Sequence, residues 1–186
     1  MIIGASISGQ DNDTHMLAHD DVVHTCSACG ARIDWDYIDP NYHPKGANDI
    51  HLTYDGDRIV SERLGAWLVK ELPQGIVLLD LKDKKGRKVL RVGNVLRLRD
   101  AGTIRREEWC SRCKQFTSVY GNWEKLAFES TRIVPENALF ITDWKFGDVR
   151  TLAPMLLCGV NTAEQIKAMK WRGLDVHYIR EAAARG

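Results

Sequence analysis

Nowhere in the 186 residues is there an apolar run approaching the roughly 18 needed to cross a bilayer, and Ile76–Leu79, among the longest, stops at Asp80. No membrane partner is expected. Met1–Gln10 has no basic leader region, and Asp11, Asp13, Asp20 and Asp21 soon follow, which argues against export. Net charge is also close to absent: 26 Lys and Arg against 25 Asp and Glu leave +1, a weak global field that disfavours a general polyanion binder. Catalytic signatures are missing as well. The sequence has no Walker-type glycine loop, no Gly-x-Ser-x-Gly elbow, no dinucleotide glycine pattern, and no metalloprotease spacing among its six histidines. A zinc deaminase would need His-x-Glu with Pro-Cys-x-x-Cys, whereas Thr25 and Trp109 precede the cysteine pairs. Neither an internal repeat nor a low-complexity tract is visible.

What is present is a 44% hydrophobic chain, enough to bury a core without disulfides. Its five cysteines, an odd number behind no leader, predict a reducing compartment and thiols used as ligands, so the expected location is the cytoplasm. The small net charge conceals a segregation. Residues 1–57 hold ten aspartates against Arg32 and Lys45, a balance of −8, while 82–106 hold ten Lys and Arg against Asp83 and Asp100, a balance of +8. The two runs either face each other or are solvated, or one of them belongs to a partner surface.

Several elements can be placed. Ser61 precedes Glu62 as a helix start, and Leu64, Trp67, Leu68 and Leu72 then recur at helical spacing up to Pro73. Gly75–Lys82 suits a buried strand followed by a turn at 83–86. Alternation over Arg87–Arg99 predicts one long strand bulged near Gly93, with Arg87, Arg91, Arg97 and Arg99 on one face. Gly9–Asp21 is expected to be a loop. Near the C-terminus, Asn161 and Glu164 have capping-box spacing, Gly173 ends the predicted helix, and Leu174–Arg180 alternates as a strand, giving a strand-helix-strand module at 155–180. The fold expected is α+β, a mixed sheet with a few helices, with an acidic segment at 1–24 and a single domain at 25–186. Most of the six tryptophans are expected in the core, with an exposed one serving as an interface anchor.

The strongest chemical signal is Cys26-Ser27-Ala28-Cys29-Gly30 together with Cys110-Ser111-Arg112-Cys113. Two such pairs supply four thiolates for a tetrahedral Zn²⁺. Gly30 suits the backbone after a second ligand, and Lys114 takes the matching place in the other pair, where its charge would ease the −2 of a tetrathiolate. Because 80 residues separate the pairs, the knuckles at 26–30 and 110–114 form a discontinuous, zinc-ribbon-like clasp, structural rather than catalytic since four thiolates leave no site for water. Reactive CxxC thiols or an empty site are the alternatives. His24, two residues before Cys26, is expected on the surface or in a strand, with replacing a missing ligand or supporting the site from behind as the alternatives, and Cys158 in the run 155–158 is expected in the core.

The two cysteine pairs, the segment Ala138-Leu139-Phe140-Ile141-Thr142-Asp143-Trp144-Lys145-Phe146, the run 155–158 and the helix through 168–176 resemble the double-CXXCG immunity proteins of bacterial toxin systems. That resemblance implies a non-enzymatic cytoplasmic protein that neutralises a cognate toxin by binding it. Only the four cysteines carry over as matched positions. The alternative is a zinc-ribbon nucleic-acid module using the basic strand at 82–106, with Trp109 or Phe116 stacking on bases, which the +1 net charge disfavours. A CxxC oxidoreductase ranks third.

Overall fold

Small residues dominate the first strand, β1 (Ile2–Asp11), and five consecutive positions, Ile3 to Ile7, are buried. A strand covered on both faces belongs in the middle of a sheet rather than at its edge. In the computed structural model, which describes residues 1–18, 21–100 and 102–182, β1 lies at the centre of a 12-stranded mixed sheet. The chain continues through β2 (Ile50–Leu52), β3 (Arg58–Val60), α1 (Glu62–Glu71), β4 (Ile76–Asp80), β5 (Lys88–Val92) and β6 (Val95–Leu96). Then follow β7 (Ile104–Cys110), β8 (Gln115–Gly121), β9 (Lys125–Leu126), β10 (Leu139–Asp148), β11 (Ala153–Cys158), α2 (Val160–Ala168) and β12 (Leu174–Glu181). The main path runs β4-β5-β3-β2-β1-β11-β10-β8-β7, so β7 forms one end of it.

The strand-helix-strand module is present in split form. Both β11 and β12 pair antiparallel with β1, which lies between them, and α2 crosses over. A register shift between Ile2 and Gly4 turns Ile3 into one apolar cluster, with Leu96, Leu98, Leu126 and Ile179. Ala5 and Ile7 enter another, beneath α1 and α2, with Leu64, Leu68, Leu156 and Ile166. The first 11 residues are therefore integral to the sheet, and the acidic segment expected at 1–24 begins as its central strand. Gly9–Asp21 is a loop only beyond Asp11, and His19 and Asp20 lie outside the described residues. No described helix is long and apolar enough to cross a membrane.

Ser61 caps α1 as its spacing predicts, with its hydroxyl accepting from the Leu64 N–H. The cap of α2 differs from the prediction. The helix starts after Gly159, and neither Asn161 nor Glu164 closes a capping box. Instead Glu136, from a distant loop, accepts from the N–H groups of Asn161 and Thr162 at 3.1 and 2.9 Å and from the Thr162 hydroxyl. Burial opposes ionisation of Glu136, but these bonds outweigh it and hold the carboxyl below its usual range. A negative charge thus meets the positive end of the helix from outside the local sequence, where no capping pattern can reveal it.

The predicted long strand at 87–99 is two strands that break at Gly93-Asn94. β5 pairs with β3 and β4, whereas β6 runs parallel to β10. Asn94 makes the switch by donating to the carbonyls of Gln74 and Leu139. The four arginines expected on one face also separate. Arg87 is buried, bonded to Asp83 and the carbonyl of Pro44, and Arg91 pairs with buried Asp57, while Arg97 and Arg99 are exposed. Of the six tryptophans only Trp171 is fully buried, and Trp109 and Trp123 are exposed.

Candidate metal centre

Each cysteine pair is held in a tight backbone loop whose closing bonds can be followed atom by atom. In the first, Gly30 N–H donates to the Cys26 carbonyl at 2.7 Å, Cys26 N–H donates to the Ala31 carbonyl, and Thr25 bridges Arg32. In the second, Lys114 N–H donates to the Cys110 carbonyl at 2.8 Å, and Cys110 pairs with Gln115 across the β7–β8 hairpin. Both loops require a left-handed residue after the second cysteine, and Gly30 (φ 77°) and Lys114 (φ 55°) provide it. Lys114 therefore adopts the backbone that glycine reaches without a Cβ clash, at a conformational cost of about 1 kcal/mol.

The loops bring Cys26, Cys29, Cys110 and Cys113 together, with their sulfurs all within 4.8 Å of one another. These four are close enough to hold a metal ion. The separations are informative: Cys26 Sγ–Cys110 Sγ is 3.9 Å and Cys29 Sγ–Cys113 Sγ is 3.6 Å. A disulfide would require about 2.05 Å. A regular tetrahedron with metal–sulfur bonds of about 2.3 Å has an edge of about 3.8 Å, between the two observed values. Each of these contacts also joins one pair to the other, so an ion at the centre would tie together positions 84 residues apart.

The two cysteines of each pair occupy different environments. Backbone N–H groups of Ala28 and Cys29 pull the Cys26 thiol down to about 6, and those of Cys113 and Arg112 lower Cys110. Desolvation pushes Cys29 up to about 12 and also raises Cys113. The turn amides of each loop thus favour the thiolate at its first cysteine, and Cys26 is also the most buried of the four. Ala31, Val119 and Leu152 form an apolar cluster on which Cys29, Cys113 and Phe116 pack.

His24 is outside the sulfur cluster. Its Nδ1 lies 3.0 Å from Asp34 Oδ2 and its ring stacks on Tyr37 at 3.5 Å, bracing the loop that carries the first pair. Cys158 is fully buried in the main core, where desolvation raises its thiol to about 12. The cation on which the cluster's charge acts is Lys145. Its burial lowers it to about 8 against the opposing pull of Cys113, and its Nζ donates to Gln115 Oε1 at 2.7 Å. No spacing links Lys145 to the cysteines, because β10 reaches them only through its pairing with β8.

The loop of the first pair is fastened to the sheet by Arg32. This buried guanidinium donates to Asp57 and to the carbonyls of Asp34 and Tyr37, lies 3.9 Å from Asp55, and covers the Trp35 ring at 4.7 Å. Asp55 in turn accepts from the N–H groups of Met16 and Leu17, while Asp21 and Asp34 close turns in the same way. Many of the aspartates in 1–57 therefore serve loop construction. The acidic and basic runs meet at one salt bridge among the described residues, Asp57 with Arg91 at 2.7 Å. Neither described helix follows a cysteine pair, so the helix N-terminus that a thioredoxin-type CxxC uses is not built here. Compared with protein-family models, curated proteins and solved structures, the chain matches none.

Proposed function

We propose that this chain is an immunity protein that binds a cognate bacterial toxin in the cytoplasm and neutralises it by protein–protein contact, with a structural Zn²⁺ as the clasp of a zinc-ribbon-like pair of loops. The observation that carries the binding reading over a catalytic one is the completeness of the thiolate set. Around one ion, Cys26, Cys29, Cys110 and Cys113 would fill a tetrahedral shell and leave no position for an activated water. Zinc is favoured by the all-sulfur donor set and by the 3.9 and 3.6 Å separations across the two loops, which are close to the edge of a zinc–thiolate tetrahedron.

Support for a partner surface comes from the β7–β8 hairpin at the end of the main strand path. Trp109 and Tyr120 are 56% and 46% exposed there, among the exposed cations Arg105, Arg112 and Lys114. Aromatic and arginine side chains are the types that anchor interfaces. The immunity assignment itself rests on the resemblance of the cysteine pairs and the C-terminal segments to the double-CXXCG proteins.

The deciding experiment co-expresses this chain with the product of the neighbouring reading frame. Restored growth and one-to-one co-purification are expected. A toxic neighbour that is neither bound nor neutralised would overturn the assignment. For the nucleic-acid reading, Arg87 and Arg91 are already engaged inside the fold. DNA and RNA titrations at two salt concentrations should therefore show weak binding, and tight binding with a steep salt slope would replace the immunity reading.

A further inference from the structure

Beside the second cysteine loop, between the β7–β8 hairpin and β10, lies a pocket of about 330 Å³ whose wall grades from core to solvent. Val119 and Leu152 are buried, Phe116 and Trp144 are half-buried, and Trp109 and Lys114 are exposed, so a partner can reach them from water. Positions three apart face opposite sides of a regular strand, yet Arg106 and Trp109 both line the pocket, because Glu108 between them is left-handed at φ 45°. Asp100 holds the Arg106 guanidinium, which covers the Phe116 ring at 5.4 Å and the Trp144 ring at 4.6 Å.

Charge around these rings is one-sided. Residues 109–123 contain Arg112 and Lys114 but no Asp or Glu. Both cations are exposed, and neither forms an ion pair among the described residues. The other cations of the wall are already engaged, Arg106 by Asp100 and Lys145 by Gln115 and the Trp35 ring. Asp143, the one carboxylate in the wall, accepts from the Leu98 N–H. The charge left over is positive and lies beside an exposed tryptophan.

We propose that this pocket receives an aromatic side chain of the toxin, presented on an acidic segment. Trp109 and Phe116 offer ring contacts to the incoming side chain, and carboxylates flanking it meet Arg112 and Lys114. An aromatic anchor in a pocket with a charged rim is how interfaces concentrate their binding energy. The proposal rests on the toxin-binding reading and adds to it the chemistry of the partner's contact. A nucleic-acid strand fits less well, since Asp143 lines the pocket and Asp100 occupies Arg106.

Fluorescence anisotropy of the full chain with labelled acetyl-Glu-Glu-Trp-Glu-Glu-amide tests the pocket without the toxin. Saturable binding is expected, weaker by about tenfold or more when glutamine replaces the glutamates or alanine the tryptophan. Trp109→Ala and Lys114→Gly should each weaken the peptide about tenfold, the second without lowering the melting temperature. Tyr120→Ala, exposed on the same hairpin but outside the pocket, should leave binding unchanged. No binding, equal binding of either control peptide, an equal loss at Tyr120, or tighter binding of a single-stranded oligothymidylate would overturn the pocket. The first two variants should also weaken capture of the co-expressed toxin. Undiminished capture by both would overturn the pocket and leave the immunity reading standing. A wild-type chain that binds the peptide but not the toxin would overturn the immunity reading, and the toxin as occupant with it.

Discussion

The two cysteine loops reach the same backbone shape by different means and are attached to the molecule very differently. Gly30 takes the left-handed position in one and Lys114 in the other. The first loop is fastened by Arg32, whose guanidinium reaches buried Asp57 close to the central strands. The second sits at the tip of the β7–β8 hairpin, steadied by Phe116 packed edge-on to Trp109 at 4.9 Å and by Arg106 over Trp144 at 4.6 Å. β8 joins the rest of the sheet through only two paired positions, Gly147 with Val119 and Asp148 with Ser118. We expect a loop tied by a buried ion pair to keep its place without metal, and a hairpin at the end of the sheet to depend on the sulfur cluster to stay docked.

The largest effect is expected from removing the link that a metal would make between the two loops. Closing a loop of 84 residues contributes roughly 4.5 kcal/mol by chain entropy if the clasp acts as a disulfide would. Cys110→Ser should lose the metal and a comparable share of unfolding free energy, measured by metal analysis and denaturant melting. An unchanged melting temperature with unchanged metal content would reject the structural role. Arg32→Leu comes next. It strands Asp57 beside Arg91 alone and should cost about 3 kcal/mol, whereas Arg106→Ala, on the exposed hairpin, should cost about 1 kcal/mol or less. Equal losses in the two variants would erase the difference in attachment.

Hydrogen exchange on chelation sharpens the same contrast without mutation. Amides of Ile104–Cys110 and Gln115–Gly121 should lose protection while those of β1, β11 and β12 keep it, and a uniform loss would mean that the clasp supports the whole fold. The smallest effect is at the left-handed positions. Lys114→Gly should gain about 0.5 kcal/mol and Gly30→Ala should lose about 1 kcal/mol in thermal melts. A destabilising Lys114→Gly would show that the lysine side chain contributes more than its backbone costs.

How far the sequence could be followed depends on whether the determining partner was local. The α1 cap, the strand at 76–80 and the strand at 174–181 were legible because strand-like runs and the Ser61 cap are properties of neighbouring residues. The strand at 76–80 is nevertheless a half-exposed one at the end of the sheet path and not the buried strand expected, since its place in the sheet is set by pairing with β5. The cysteine cluster was legible too, since metal ligands announce themselves by residue type and spacing. What escaped were features fixed across the sheet. β1 has Gly4, Ala5 and Ser6 where a strand pattern would show large alternating residues, and its pairing with β11 and β12 gives it its place. Alternation over 87–99 continued through a break that Asn94 makes by bonding to Gln74 and Leu139. Glu136 caps α2 from 25 residues away, and Lys145 reaches the sulfur site along β10. The charge runs misled for a related reason, because buried Arg87, partly buried Arg91 and many aspartates are spent on turns and ion pairs that composition counts as surface.

The most direct test of the clasp is elemental analysis joined to X-ray absorption at the metal edge, on chain purified under reducing conditions. One zinc per chain with four sulfur neighbours at about 2.3 Å is expected. Purified chain that carries no metal, or a shell in which nitrogen or oxygen replaces any of the four sulfurs, would contradict the clasp.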